Sequence, residues 1–245
     1  MRLQQHRNRV GAVVLLGLPG SGKGTQAGKL ADELHVPAVS TGELLRREAE
    51  GRTRLGDSVR EVIAAGKLVS DEVVTRVLAA HLCATRYRNG FVLDGYPRTV
   101  GQAELLDKWL ATRGFGSPRV VYLDVSCEEV TARLAHRVAC PTCGRSYSTA
   151  RELAARGGRC EDDGAPLVHR LDDNVVSILE RFRQYELNTK PLLAYYESRD
   201  LRRVAAAGSP EDVFARVLGA LSHQDHDSTS SPKRRRVLMA ASAVG

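Results

Sequence analysis

The stretch from Gly17 to Gln26, GLPGSGKGTQ, decides how the rest of the chain is read. A loop that cradles nucleotide phosphates follows the pattern G-x-x-x-x-G-K with Ser or Thr next. Gly17 to Lys23 fits, but Gly24 stands where the hydroxyl belongs and Thr25 follows it. Just before it, Gly11 to Leu16 (GAVVLL) is a short unbroken apolar run, as a buried parallel strand requires. Just after it, Lys23 to His35 places Ala27, Leu30, Ala31 and Leu34 at helical spacing. A strand, a glycine turn and a helix start together form an anion site. The backbone N–H groups converge there and the helix N-terminus is positive. Gly20, Ser21, Gly22, Lys23, Gly24 and Thr25 would line it. The glycines admit phosphate close to the backbone, and Lys23 adds a mobile charge able to reach the β- and γ-phosphates. An ordinary glycine turn has the same local composition. The strand before and the helix after argue against it, and the loop alone implies only a nucleoside triphosphate.

The strand signal recurs at Val36–Ser40, Phe91–Asp94, Val120–Val125 and Leu201–Ala205, with helical patterns between. Alternation of this kind predicts an α/β protein with a five-stranded parallel sheet covered by helices on both faces. Two stretches break the alternation. Thr41 to Val69 is helical in pattern with no strand signal, and Val138 to about Val168 is rich in Gly, Cys and charge with little apolar content. Both read as excursions from the sheet.

The variant G-x-P-G-x-G-K-G-T-Q resembles the adenylate kinases and the related nucleoside-monophosphate kinases, where glycine after the lysine is usual and Thr25 takes the hydroxyl role. Further segments carry the resemblance in the same order: Ser40-Thr41-Gly42-Glu43-Leu44-Leu45-Arg46, Gly66-Lys67-Leu68-Val69, Phe91 to Gln102 (FVLDGYPRTVGQ), and Leu171-Asp172-Asp173-Asn174 followed by Arg181. They span roughly residues 11–220. Glu43 departs from the family's more usual Asp, and Tyr96 from its Phe; neither removes a charge that transfer needs.

The resemblance implies a P-loop NTPase-type core at 11–39, 70–137 and 174–221 within a domain spanning 11–221, a helical AMP-binding insertion at 40–69, and a lid at 138–173. Residues 1–10 and 222–245 have no counterpart and are expected as an N-terminal extension and a disordered basic tail. It also implies roles by position. Gly20 to Thr25 would hold the ATP phosphates, joined by Arg133, Arg137, Ser146, Tyr147 and Gly208 around the rest of that nucleotide. Thr41, Arg46, Lys67, Leu68, Val69, Gly95, Tyr96, Pro97, Arg98 and Gln102 would hold AMP, together with Arg170 and Arg181. Arg46 and Arg98 suit its phosphate, because a guanidinium grips two oxygens at once. Gln102 can make paired hydrogen bonds to the adenine edge. Lys23, Arg98, Arg137, Arg170 and Arg181 would converge on the transferred phosphate, and Asp94, at a strand end near the loop, would orient Mg²⁺. Arg133 and Arg137 are expected four apart on one helix face. Arg52, Arg54, Arg202 and Arg203 match no motif and are expected on the surface.

Cys140-x-x-Cys143 and Cys160-x-x-Asp163 read as a tetrahedral zinc site with one carboxylate ligand. They resemble the zinc-bearing lid of long-form bacterial adenylate kinases. An excursion with so little apolar content cannot build its own core, and a metal supplies the folding energy instead. Asp162 or His169 are alternative fourth ligands, and free thiols or a Cys140–Cys143 disulfide the alternative without a metal. Cys83 and Cys127 fall in core-like patterns and are expected as small buried residues.

The formal charge is +7 over 245 residues, but three arginines in residues 1–10 and four basic against two acidic residues in 222–245 supply +5 of it. A body near +2 gives little support for a nucleic-acid surface. Five cysteines, an odd number with one close pair, suit a metal site in a reducing compartment, hence the cytoplasm. No apolar run is long enough to span a membrane. The resemblance implies Mg²⁺-dependent transfer between ATP and AMP by a monomer. A UMP/CMP kinase is the nearest alternative, disfavoured by Thr41, Gln102 and the long lid. A zinc-ribbon nucleic-acid binder with a vestigial kinase core is the alternative from another class. Pro232 to Val237 (PKRRRV) resembles a nuclear import signal and reads more simply as a solvated basic run.

Overall fold

The computed structural model describes residues 9–51, 53–147, 157–169 and 174–222. The main sheet has five parallel strands in the order β2-β3-β1-β4-β8. They are β1 (Gly11–Gly17), β2 (Ala38–Ser40), β3 (Gly90–Asp94), β4 (Arg119–Asp124) and β8 (Leu201–Ala205). Val13, Val14 and Leu15 of β1, Phe91, Val92 and Leu93 of β3, and Val120, Val121 and Leu123 of β4 have no solvent exposure. Such unbroken apolar strands need cover on both faces. Helices α1 (Lys23–Leu34), α4 (Asp71–Leu82), α5 (Val100–Thr112), α6 (Cys127–Ala135), α8 (Pro191–Glu197) and α9 (Pro210–Ser222) provide it, each burying one stripe. The parallel α/β architecture is as the sequence predicts, with β2 two residues shorter than its apolar run.

Between β2 and α4 lie α2 (Thr41–Glu50) and α3 (Arg54–Ala64), with no strand among them. Ser40 caps α2 by accepting from Glu43 N, and Thr53 caps α3 by accepting from Gly56 N. Gly66, in the turn that follows α3, has φ +72 and lies so close to α7 (Val175–Gln184) that a Cβ there would stand 2.6 Å from Ser177 O. Ser177 is buried and donates to Ala64 O at 2.8 Å. The start of α7 is thus anchored on the α3–α4 turn. A π-helical turn, Tyr185–Thr189, joins α7 to α8.

After α6 the chain leaves the main sheet and forms a small antiparallel sheet, β6-β5-β7, of β5 (Val138–Ala139), β6 (Ser146–Tyr147) and β7 (Val168–His169). Among the described residues its buried cluster comprises Val138, Cys140, Tyr147 and Cys160. Three readings are corrected here. Arg137 is not on α6: the helix ends at Ala135 and Arg137 enters β5, because the turn at His136 closes with Arg137 N donating to Leu134 O. Cys83 and Cys127 are exposed rather than buried. Cys83 stands just past the Val74–Leu78–Leu82 stripe of α4, and Cys127 opens α6 a turn before its buried pair, Val130 and Leu134. Arg202 is nearly enclosed, its side chain 11% exposed and paired with Asp200 at 2.8 Å; Arg203 is exposed, as expected.

Candidate active site and metal centre

The phosphate loop joins β1 to α1 at the carboxyl edge of the sheet, where open α/β folds place their ligands. Gly17, Gly20 and Gly22 have positive φ, and at Gly20 a Cβ would stand 2.8 Å from Leu134 Cγ. The loop therefore packs directly on α6, and glycine is a steric requirement there. Lys23 folds back over the loop, its Nζ donating to Gly17 O at 3.0 Å and Leu18 O at 2.7 Å. Burial pushes its ammonium down to about 8; the charges of Arg98, Arg137 and Arg181 act the same way, against the raising pull of Asp94. Thr25 is exposed in the first turn of α1. Asp94 ends β3 beside it: a Cβ at Gly24 would stand 3.4 Å from Asp94 Oδ2. Carboxylate and hydroxyl oxygens are the hard donors that Mg²⁺ takes, and these two flank the turn that Lys23 opens.

On one side of the loop, Arg133 bridges to the β8–α9 connection. It donates to Ser21 O at 3.4 Å and to Ala206 O at 2.9 Å, and pairs with Glu129 at 2.5 Å. Gly208, φ +101, lies in that same connection. On the other side is a cavity whose wall includes Thr41, Arg46, Lys67, Leu68, Val69, Gly95, Arg98, Gln102 and Arg181. Gly95 has φ +80, and a Cβ there would stand 3.1 Å from Thr41 Oγ1 and 3.3 Å from an Arg98 guanidinium nitrogen. Its carbonyl accepts from Thr41 Oγ1 at 2.8 Å and from Arg98 Nε at 3.0 Å. Arg46 pairs with Glu43 at 3.1 Å.

The structure brings nine of the residues expected around AMP to this one cavity. Two it places elsewhere. Tyr96 is 1% exposed, and its hydroxyl is spent on Thr75 Oγ1 at 3.1 Å and Gln102 O at 3.2 Å. Pro97 is likewise not in the wall. Arg170 lies outside the described residues. Tyr147 sits in the core of the small sheet, its hydroxyl donating to Cys160 Sγ at 3.4 Å, while Ser146 is exposed beside it. Sequence reading missed Asp71, which bonds both Thr99 and Gln102 at 2.7 Å. An acid just after Ser70 looks only like an ordinary helix start.

In the small sheet, one ligand atom each from Cys140, Cys143, Cys160 and Asp163 lie within 4.8 Å of one another. Cys143 Sγ and Cys160 Sγ are 3.5 Å apart, and Cys140 Sγ is 3.2 Å from Asp163 Oδ2. A tetrahedral ion with metal–sulfur bonds of about 2.3 Å requires ligand separations of this size. Asp162 Oδ2 pairs with Arg145 at 2.9 Å and stays 3.8 Å from Cys143 Sγ, outside the close group. The four residues can hold a metal ion.

A family model described as adenylate kinase matches residues 15–201, a span that includes every expected site residue except Gly208. The chain belongs to the adenylate kinase family. The adenylate kinase of Finegoldia magna is 40% identical over 206 residues, covering 84% of this chain and 96% of that protein. That of Pelobacter propionicus is 41% identical over 198 residues, 81% and 90% of the two chains. An adenylate kinase from Thermoanaerobacter is 39% identical over 210 residues, 85% and 97%. Among the described residues no helix is long and apolar enough to cross a membrane.

Proposed function

We propose that this protein catalyses reversible transfer of the γ-phosphoryl group of ATP to AMP, giving two ADP. One observation carries the reading. Arg98 and Arg181 line the second cavity and also lie close enough to act on the charge of Lys23 in the phosphate loop. Two anion sites with a shared cationic boundary are what transfer between two nucleotides needs. A hydrolase needs only one. The names of the relatives support the same reading.

Catalysis here is positioning and charge stabilisation. A phosphate oxygen of AMP attacks the γ-phosphorus, the bond to the β-bridging oxygen breaks, and the electron pair stays on the departing ADP. The attacking oxygen is already anionic, so no general base is required. Lys23, Arg98, Arg137 and Arg181, with Arg170, meet the charge spread over the transferring group. Asp94 and Thr25 would hold Mg²⁺, which would supply charge neutralisation to the ATP phosphates. Gly20 to Gly24 present backbone donors to the ATP phosphates. Arg133 and Gly208 would flank the remainder of that nucleotide, with Ser146 and Tyr147 contributed by the lid. Thr41, Arg46, Lys67 to Val69, Gly95 and Gln102 would hold AMP, and Tyr96 supports that wall through the bond of its hydroxyl to Gln102 O.

Residues 40–69 and 138–173 act as covers that close over the two nucleotides and keep water from the γ-phosphate. The metal at Cys140, Cys143, Cys160 and Asp163 is zinc, and its role is to fold the lid. The protein works in the cytoplasm as a monomer. The deciding experiment measures ADP formation from Mg·ATP with AMP, UMP, CMP and GMP in turn. Turnover with AMP well above the rest is expected. Preference for another acceptor overturns the specificity, and no turnover with any acceptor in folded, metal-loaded protein overturns the reading.

A further inference from the structure

Gln102 is 2% exposed, yet it lies in the wall of the acceptor cavity. A buried side-chain amide can be turned either way round, and the two ways present opposite patterns to a ligand. Here the neighbours decide. Arg98 N, a backbone N–H that can only donate, is 2.8 Å from Gln102 Oε1. Asp71, a carboxylate that accepts, has Oδ1 2.7 Å from Gln102 Nε2. Turning the amide over would set donor against donor and acceptor against acceptor. Asp71 is itself held, since its other oxygen accepts from Thr99 Oγ1 at 2.7 Å. One turn further along α4, Thr75 holds the Tyr96 hydroxyl, which donates to Gln102 O. Helix α4 therefore secures Gln102 at both its side chain and its backbone.

The amide is left with one N–H and one lone pair, in a set order. Adenine offers an acceptor at N1 and a donor at its 6-amino group. Hypoxanthine offers the reverse, a donor at N1–H and an acceptor at O6. An amide free to turn would serve both bases; one held in place serves only one. We infer that Asp71 is a positioning residue that locks the Gln102 amide and so makes the acceptor site reject 6-oxopurine monophosphates. This rests on the reading of the cavity as the AMP site. An acid in the first turn of a helix also stabilises that helix, but such an effect would not distinguish one purine from another.

The test uses the full-length enzyme with Mg·ATP and three acceptors: AMP, IMP, and purine riboside 5′-monophosphate, which keeps N1 as an acceptor and has no group at C6. The expected order of kcat/KM in the wild type is AMP, then purine riboside monophosphate, then IMP. A locked amide meets hypoxanthine with two mismatches, which is worse than one missing bond. Asp71→Asn supplies an amide that can pair with Gln102 turned either way. It should lower the AMP-to-IMP ratio of kcat/KM by about tenfold, the size of one misplaced buried hydrogen bond, with KM for ATP unchanged. In a Gln102→Leu background the same substitution should leave the ratio unaltered. A wild type that uses IMP better than purine riboside monophosphate overturns the inference, whatever the fate of the variants. So does an Asp71→Asn enzyme that loses AMP and IMP activity by one common factor. A wild type that makes no ADP from AMP removes the underlying reading instead, and the two failures are told apart by the first measurement.

Discussion

Gly144 of the lid lies against Glu43 of α2, so close that a Cβ on Gly144 would stand 2.4 Å from Glu43 Oε2. Glu43 in turn pairs with Arg46 at 3.1 Å and Arg47 at 3.3 Å, and Arg46 lines the second cavity. The turn after Cys143 is thus one carboxylate away from a residue proposed to grip the AMP phosphate. This contact joins the two excursions from the main sheet.

Gly144→Ala should disturb that link. Gly144 has φ +78, so a side chain there is strained as well as crowded. The carboxylate of Glu43 would swing away and loosen Arg46. Steady-state kinetics should show KM for AMP raised roughly fivefold, the equivalent of about 1 kcal/mol of lost charge contact, with KM for ATP within twofold. An unchanged KM for AMP would show that Glu43 yields without moving Arg46.

Lys23→Met should abolish turnover, by roughly 10²-fold or more, as loss of one preorganised transition-state contact does. The same change should stabilise the nucleotide-free protein at pH 7. Burial holds the folded-state Lys23 at about 8, against 10.5 for an ordinary lysine. Between those values the unfolded chain binds more protons, so stability rises with pH across that window and is lowest below pH 8. Thermal melts at pH 7 and pH 9 check this: the variant should melt above the wild type at pH 7, by a margin that narrows at pH 9. A variant that melts lower at pH 7 would contradict the cost of burying that charge.

Metal removal should unfold the lid rather than the main sheet. Among the described residues the small sheet's apolar cluster has just four buried members, two of them the proposed ligands Cys140 and Cys160. Protein as isolated should carry one zinc, released by a chelator with a mercurial. Cys160→Ser should lose it and lower Tm by about 10 °C, since a structural zinc contributes several kcal/mol and each moves Tm by about 2–4 °C in a chain of this size. Full stability in a zinc-free Cys160→Ser protein would assign the cluster to something other than folding.

Tyr96→Phe removes a hydroxyl that bonds Thr75 Oγ1 and Gln102 O from a fully buried ring. The expected cost is about 1 kcal/mol of stability, the ordinary worth of one intramolecular hydrogen bond. A urea titration should show a lower midpoint at unchanged slope. KM for AMP should stay within about threefold, because the ring itself does not reach the cavity and Asp71 still holds the amide.

The linear order of residues was enough for the sheet, the loop and the metal ligands, because each is a local pattern. Unbroken apolar runs such as GAVVLL need a doubly covered sheet, GxxxxGK at a strand end suits an anion, and two x-x-separated pairs of Cys and Asp suit an ion. Other features depend on contacts between distant segments, which no local pattern records. The helical face expected to align Arg133 with Arg137 ends two residues short of Arg137, at Ala135, because the chain must leave α6 to start β5. Arg202 looked like a surface charge until α9 supplied a carbonyl, Ala220 O, for its guanidinium to meet. Tyr96 looked like part of a binding wall, yet its hydroxyl is claimed by Thr75 on α4. Asp71 read as an unremarked helix start, 31 residues from the amide it holds. Which chemistry the protein carries is legible in its residues alone, since that is set by residue type and short spacing. Which way Gln102 faces and how the turn after Cys143 meets α2 come from the folded chain, since orientation is set by whichever donors and acceptors packing brings alongside.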